Sequence, residues 1–367
     1  MPAECAIVGG GLAGFTAYQT LHHGGLGPEE IRVFGTDSDP AGVWRTRAAS
    51  IRQRRMRSES DGHVAPTSFP GLAVREARRR GSLGPLVLSV LDRYHPTVTE
   101  FLEHVAEARE RSGWDESFGA ARIKRVRAVE DGFELDGHGR FRHVLLAPGH
   151  PWLTVPPELR DDPRAVHAYE PHDYADHVTV VGAGMAAATE WLNALEAGSS
   201  VVSVRRREPE RRPLNLPRPL FTRRGLARYH ALSPEARARE LRRWLAPSYP
   251  PGRAWDEPLE TAARQGRFRI AAELNGAEQI VCATGFRRGF RHDPLLGRLV
   301  DDHALHTVED WIVVGSDCTV PALTADDRTL ALTGVPAELG FPAADTLAGA
   351  KYAARGFLER ILRCRSR

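Results

Sequence analysis

Apolar residues in this chain gather into short uninterrupted runs, each followed by a stretch where they recur at helical spacing. Cys5-Ala6-Ile7-Val8 is the first run, and Val178-Thr179-Val180-Val181 is a similar one far downstream. Runs this short, without polar alternation, suit strands buried on both faces of a parallel sheet. Behind the first, Leu12, Phe15, Ala17 and Leu21 supply the packing side of a helix, and Ile31-Arg32-Val33-Phe34 forms the next strand. Behind the second, a helix runs from Gly184 to about Ala197, closed by Gly198, and Val201-Val202-Ser203-Val204 follows. The β–α–β unit therefore occurs twice.

The same patterning predicts a helix over 98–111, with Phe101, Leu102, Val105 and Ala108 on one side. It predicts further strands over 122–129, 132–135, 140–146, 268–273, 279–283 and 311–314, and a last helix over 344–362. Residues 45–96 read as irregular and arginine-rich. Residues 207–258 are long and proline-broken with one helix near 234–245, the pattern of an active-site cover or a mobile surface.

At both strand-to-helix turns the sequence is glycine-rich: Gly9-Gly10-Gly11-Leu12-Ala13-Gly14 and Gly182-Ala183-Gly184-Met185-Ala186-Ala187. Glycine permits the tight turn and lets the backbone approach a pyrophosphate, which the free N–H groups of the helix start then bind. Two such turns far apart point to two dinucleotides, a flavin and a nicotinamide, and so to electron transfer. Arg205, Arg206 and Arg207 follow the second strand of the second unit. An acid there would select NADH. Arginine pairs with the 2′-phosphate of NADPH instead, with Arg205 and Arg206 as the expected contacts.

Composition narrows the classes. Charged residues make up 26% and apolar ones 42%, and the net charge is +3. Mean hydropathy is −0.36. No uncharged apolar stretch approaches the roughly 20 residues that span a bilayer, and no signal-type segment precedes the first strand, so a cytoplasmic location is expected. Basic residues are arginine except at Lys124 and Lys351, and no nucleic-acid module is recognisable. Cys5, Cys282, Cys318 and Cys364 form no C-x-x-C pair and have no metal-ligand spacing, which argues against dithiol redox chemistry.

Taken in order, these features resemble the flavin-containing monooxygenases and their Baeyer–Villiger and N-hydroxylating relatives, over nearly the whole chain. Gly9, Gly11 and Gly14 form the FAD fingerprint. Ala41-Gly42-Val43-Trp44-Arg45 is similar to the family's Gly-Gly-x-Trp segment, and Arg57-Ser58-Glu59-Ser60 lies where the family has a polar segment near the flavin ring. Ala147-Pro148-Gly149 and Cys282-Ala283-Thr284-Gly285-Phe286 resemble the two hinges between domains. Val166-His167-Ala168 with Tyr174 resembles the fingerprint before the NADPH strand, although its upstream glycine is missing. Gly35 stands where an acid usually holds the FAD ribose, which leaves Asp37 as the substitute, and Asp317 resembles the Gly-Asp motif that holds the flavin's ribityl or phosphate part.

The resemblance implies an α/β fold of two Rossmann-like dinucleotide-binding domains. The NADPH domain (150–284) is inserted into an FAD domain made of 1–149 and 285–367. It implies an NADPH-dependent monooxygenase using FAD, NADPH and O2. The oxygenated group would be a nucleophilic nitrogen or sulfur, or a ketone, of a small molecule of secondary metabolism, reached through a flavin C4a-peroxide. Trp44, Arg57 and Ser58 are the expected flavin wall. Two other readings fit the same residues: a flavin reductase that passes electrons on without oxygen transfer, and a non-catalytic nucleotide sensor.

Overall fold

A computed structural model describes residues 3–56, 72–90, 96–150, 152–212, 216–274 and 276–366. Ten strands build its two main sheets. In chain order they are β1 (Cys5–Val8), β2 (Ile31–Gly35), β3 (Phe118–Ala120), β4 (His143–Leu146), β5 (Ala165–His167), β6 (His177–Val181), β7 (Ser200–Val204), β8 (Phe268–Ala271), β9 (Gln279–Cys282) and β10 (Thr329–Leu332). Helices α1 (Leu12–His23), α2 (Gly42–Ser50), α3 (Leu72–Arg80), α4 (Gly84–Val90), α5 (Val98–Arg111) and α6 (Trp114–Ser117) belong to the first third. They are followed by α7 (Met185–Glu196), α8 (Arg223–His230), α9 (Pro234–Trp244), α10 (Arg253–Arg264), α11 (Pro294–His303) and α12 (Leu347–Arg365).

The first sheet has the order β10-β4-β1-β2-β3 and the second β8-β7-β6-β9-β5, and every pairing in both is parallel. Each is therefore wound outward from a central strand, β1 or β6, that carries a glycine turn at its end. In open α/β sheets the crevice forms beyond the strand ends where the order reverses. Here that places one crevice between β1 and β4 and another between β6 and β9. The chain crosses between the sheets twice, and the crossing strands bind each other: Thr154 N donates to Gly285 O (2.9 Å) and Arg287 N to Trp152 O (2.9 Å).

The first core packs Phe15, Tyr18, Trp114 and Phe101 of α1, α6 and α5 under β1 and β2, with Phe357 and Ile361 of α12. The second packs Trp191 of α7 on Val178, Val180 and Val201. Between 216 and 245 the chain leaves its own sheet. Leu220, Tyr229 and Leu241 join the core of Leu296, Val314, Leu332 and Phe341 instead. The anchoring is polar as well. Tyr229 Oη donates to the Glu338 carbonyl (3.0 Å), Arg237 to that of Leu339 (2.5 Å) and His230 Nε2 to that of Gly340 (2.7 Å). Three successive carbonyls of one buried segment thus find donors on α8 and α9, as buried backbone groups require.

Several local expectations differ from the structure. Residues 45–96 hold α2, α3 and α4 rather than irregular chain only. Within 122–129 only Val126–Val129 is a strand, paired antiparallel with Gly132–Leu135. The stretch 207–258 holds α8, α9 and the start of α10, and its first two helices are docked rather than loose. Among the described residues no helix is long and apolar enough to cross a membrane.

Two outcomes follow for stability. Tyr229→Phe removes one buried hydrogen bond and should cost about 1 kcal/mol, whereas Tyr229→Ala should cost about 3–5 kcal/mol, in urea unfolding curves. His143 on β4 is 0% exposed and its ring nitrogens have no hydrogen-bond partner among the described residues, the Glu4 carboxylate lying 3.8 Å from Nε2. Burial above all depresses its pKa to about 4. The unfolded chain then binds the extra proton between pH 6.5 and 4, so stability falls as pH drops through that window. At pH 5 this histidine alone should remove about 2 kcal/mol relative to pH 7. His143→Leu should flatten that slope by about one proton.

Candidate active site

A single cleft of about 2800 Å³ runs past both glycine turns. Its geometry starts at the turns. Gly9 and Gly182 have φ of 128° and 140°, and a Cβ at either would overlap the carbonyl oxygen of Ala147 or Ala283 on the neighbouring strand. Gly14 allows α1 to close on Gly9 in the same way. Gly11 is different: a Cβ there would meet nothing within 4 Å, so its open side faces the cleft. Gly184 is nearly as open, with Pro247 at 4.0 Å.

The helices behind these turns begin without a side-chain cap. Gly11 and Gly184 are the N-cap residues of α1 and α7, neither accepts a side-chain hydrogen bond, and neither helix has an acid in its first turn. By contrast α5, α8, α9, α11 and α12 are capped by Thr97, Thr222, Ser233, Asp293 and Thr346. The amides of α1 and α7 are thus left for an anion from outside the chain. The surrounding charge agrees: twelve arginines and lysines line the cleft against four carboxylates, although the whole chain carries only +3. Two dinucleotides, one with a 2′-phosphate, bring about six negative charges between them. The residues present therefore fit both groups.

The expected site residues divide into three sets. Gly9, Gly11, Trp44, Gly182, Gly184, Arg205 and Arg206 line the cleft. Trp44 does so from α2, not from a loop, with its ring edge on Phe101 (4.9 Å between centroids). Gly14, Gly42, Asp37 and Asp317 do not line it. Gly14 and Gly42 shape the turns behind it. Asp37 closes a local turn by accepting from Asp39 N (2.9 Å), and Thr36 is the residue beyond β2 that reaches the cleft. Asp317 is committed to Thr319 (2.6 Å) and Arg360 (2.8 Å). Although burial opposes it, those hydrogen bonds hold its carboxyl below the usual range. Asp37 and Asp317 thus make their hydrogen bonds to groups of the chain itself. Arg57 and Ser58 lie outside the described residues.

The two arginines differ. The Arg205 side chain is 9% exposed and paired with Glu208 (2.7 Å), whereas that of Arg206 is 87% exposed and reaches Glu158 at only 3.3 Å. Arg206 is the freer donor.

Sequence reasoning missed the seam between the sheets. Arg47, three residues past Trp44 on α2, donates to the His150 carbonyl (2.6 Å) and lies over the Phe286 ring (4.9 Å). Tyr169 stacks between His167 and Phe286 (5.7 and 4.8 Å). His167 is a clamp: its Nδ1 accepts from Tyr169 N (3.1 Å), so Nε2 carries the proton donated to Gly285 O (3.2 Å). Arg288 joins buried Glu338 to Asp345 (3.0 Å). Glu338 is pushed up to about 7 by burial, against the pull of Arg288. In the sequence only His167 and the two hinge segments signalled this region, and Arg47, Tyr169, Arg288 and Glu338 went unnoticed.

No family profile matches the sequence, and no curated protein does. Solved structures share its fold. The ornithine N-hydroxylase of Kutzneria sp. 744, solved with reduced FAD, NADP+ and L-ornithine, superposes with a TM-score of 0.76 at 15% identity over 100% of both chains. The cadaverine monooxygenase of Erwinia amylovora, bound to FAD, gives 0.73 at 14% identity over 98% of this chain and 94% of that one. The bacillithiol disulfide reductase of Bacillus cereus gives 0.62 at 13% identity over 100% of both. The two-sheet arrangement is therefore the fold of these structures.

Substitutions at the first turn should separate folding from binding. Gly9→Ala forces a strained φ and a carbonyl overlap and should lower stability by about 2 kcal/mol or more, whereas Gly11→Ala should stay within about 0.5 kcal/mol of the parent in the same melts.

Proposed function

We propose that this protein is an FAD- and NADPH-dependent monooxygenase that hydroxylates the nitrogen of a small amine. The observation that carries the reading is the pair of uncapped, glycine-started helices opening on one basic cleft. The likeness to N-hydroxylating enzymes supports nitrogen rather than sulfur or a ketone as the acceptor. In this reading residues 1–149 and 285–367 hold FAD and 150–284 hold NADPH.

The first turn, Gly9 to Gly14, holds the FAD pyrophosphate on the amides of α1, with Thr36 beside the ribose and Trp44 on the wall. The second turn, Gly182 to Ala187, holds the NADPH pyrophosphate on α7, and Arg206 binds the 2′-phosphate with Arg205 behind it. When bound, the two coenzymes pass two electrons from NADPH to O2, one oxygen atom going to the amine and the other to water. Overall, R–NH2, O2, NADPH and H+ become R–NHOH, H2O and NADP+. The chain's own task is to hold both coenzymes at one seam and to exclude water there. Arg47, Tyr169 and Phe286 close the seam with guanidinium and ring faces, which present no free acid to the site. Burial pushes the His150 pKa down to about 4, which leaves a neutral imidazole beside the reaction.

The bacillithiol reductase likeness keeps electron transfer without oxygenation as the second reading. Stopped-flow reduction of the FAD-loaded protein under argon, then mixing with oxygen and an amine, separates them. Hydroxylamine formed in proportion to NADPH consumed supports oxygenation. Hydrogen peroxide alone, with rapid transfer to an added disulfide or iron–sulfur acceptor, supports the reductase. Arg206→Ala should raise the KM for NADPH about tenfold or more and leave that for NADH within twofold. Equal loss of both would overturn the 2′-phosphate assignment.

A further inference from the structure

One end of the cleft is walled by elements that carry neither glycine turn. Leu216, Phe221, Leu226, Leu245, Phe341 and Tyr352 line it, and none bears a charge. Phe341 stacks on Tyr352 (4.6 Å) and meets Phe221 edge-on (6.2 Å). The Tyr352 hydroxyl is committed to the Ser316 carbonyl (2.6 Å), so this residue offers the cleft a ring rather than a free polar group. The wall exists only because α8 and α9 are docked on residues 338–340.

Beside the wall lie Asp345, Arg288 and His150. Asp345 lies four residues beyond Phe341, and Arg288 is shared between it and Glu338, so one guanidinium faces two carboxylates. His150 feels the Asp345 charge and sits edge-on to Phe286 (5.3 Å). Its Nε2 is buried with no hydrogen-bond partner among the described residues. Lys351 and Arg355 also line the cleft from α12, flanking Tyr352. The volume allows a third ligand: sites for small molecules run to about 300–1,000 Å³ each, so two coenzymes leave space in 2800 Å³.

We propose that the substrate is an amine on an apolar chain or ring, its body lying on Phe221, Phe341 and Tyr352 and its nitrogen facing His150 and Asp345. This rests on the monooxygenase reading above. An α-amino acid body would bring two further charges against a wall with no partner for either, a costly burial. An apolar body gains from the same wall, and the Asp345 carboxylate and the Nε2 of His150, unpartnered among the described residues, offer acceptors to a protonatable nitrogen.

Calorimetric titration of the oxidised, FAD-loaded protein without NADPH tests this independently of turnover. Octylamine and 2-phenylethylamine should bind at least tenfold more tightly than L-ornithine, and octanoate should bind at least tenfold more weakly than octylamine. Phe221→Ala and Phe341→Ala should each weaken octylamine about tenfold, and Phe221→Lys more. Phe221 is partly exposed, so its variants should keep the parent melting temperature. His150→Phe should weaken both amines and leave octanoate unchanged. Ornithine binding as tightly as octylamine, or no effect at Phe221, would overturn the apolar wall. Octanoate matching octylamine would overturn the amine head. Should the protein take up no flavin, the monooxygenase reading fails, while the same titration on flavin-free protein still decides the amine preference.

Discussion

Neither α1 nor α7, the helices behind the two glycine turns, has a side chain to satisfy its own first amides. An α-helix always leaves such groups at its start, and in this chain five other helices fill them with a threonine, serine or aspartate. At α1 and α7 the position is glycine, and the β-strand before it presses so closely on its neighbour that no Cβ fits at Gly9 or Gly182. The turn is thereby held tight and its amides are left pointing outward. The parallel strand order then brings each turn to the point where its sheet reverses direction. Everything proposed for the site depends on this arrangement of backbone, which side chains only complete.

The seam between the two sheets is built to a different plan. Here the polar groups are satisfied internally, and mostly by backbone. The two crossing strands bind each other, His167 ties the exit strand to the turn at Tyr169, and Arg47 reaches from α2 to the carbonyl of His150. Further from the cleft, Asn193 of α7 donates to Ile51 (2.8 Å), and Arg52 lies on the Tyr174 ring (4.4 Å). These contacts hold one lobe against the other through neutral or partly buried groups, whose geometry salt does not screen away. A fixed seam is what a reaction between two bound coenzymes requires, since small misplacements of reacting groups are costly in rate.

Electrostatics divides the cleft along its length. Arg205, Arg206 and Arg207 line it beyond β7, and the carboxylates of Glu338 and Asp345 meet Arg288 near Phe341. Helices α8 and α9 decide this division. They are encoded between strands of the second sheet, yet they pack on the core that follows α11 and cover the end of the cleft with leucine and phenylalanine. One consequence is that the composition of the substrate end is set by a segment whose own sequence neighbours serve the other lobe.

Much of the scaffold was readable from local pattern. The helix expected over 98–111 is α5 as observed, with Phe101 and Val105 buried, because its apolar residues recur at helical spacing and Thr97 and Glu100 form a capping box. Both glycine turns were readable because a tight turn and a close backbone approach demand glycine in the sequence itself. Short or weakly patterned elements were not. In α2 the run Gly42–Ser50 scatters its few apolar side chains, and β3 is three residues long with a glycine at its centre. The spacing of Asp37 and Asp317 did not reveal their partners, Asp39, Thr319 and Arg360, the last of which is remote in the chain. The sequence alone determined two nucleotide-type units and where their turns lie, since these depend on residues adjacent in the chain. Only the tertiary structure decided that Arg206 is more exposed than Arg205, that Arg288 joins Glu338 to Asp345, and that α8 and α9 pack on the core of the other lobe, since each depends on contacts between residues far apart in the chain.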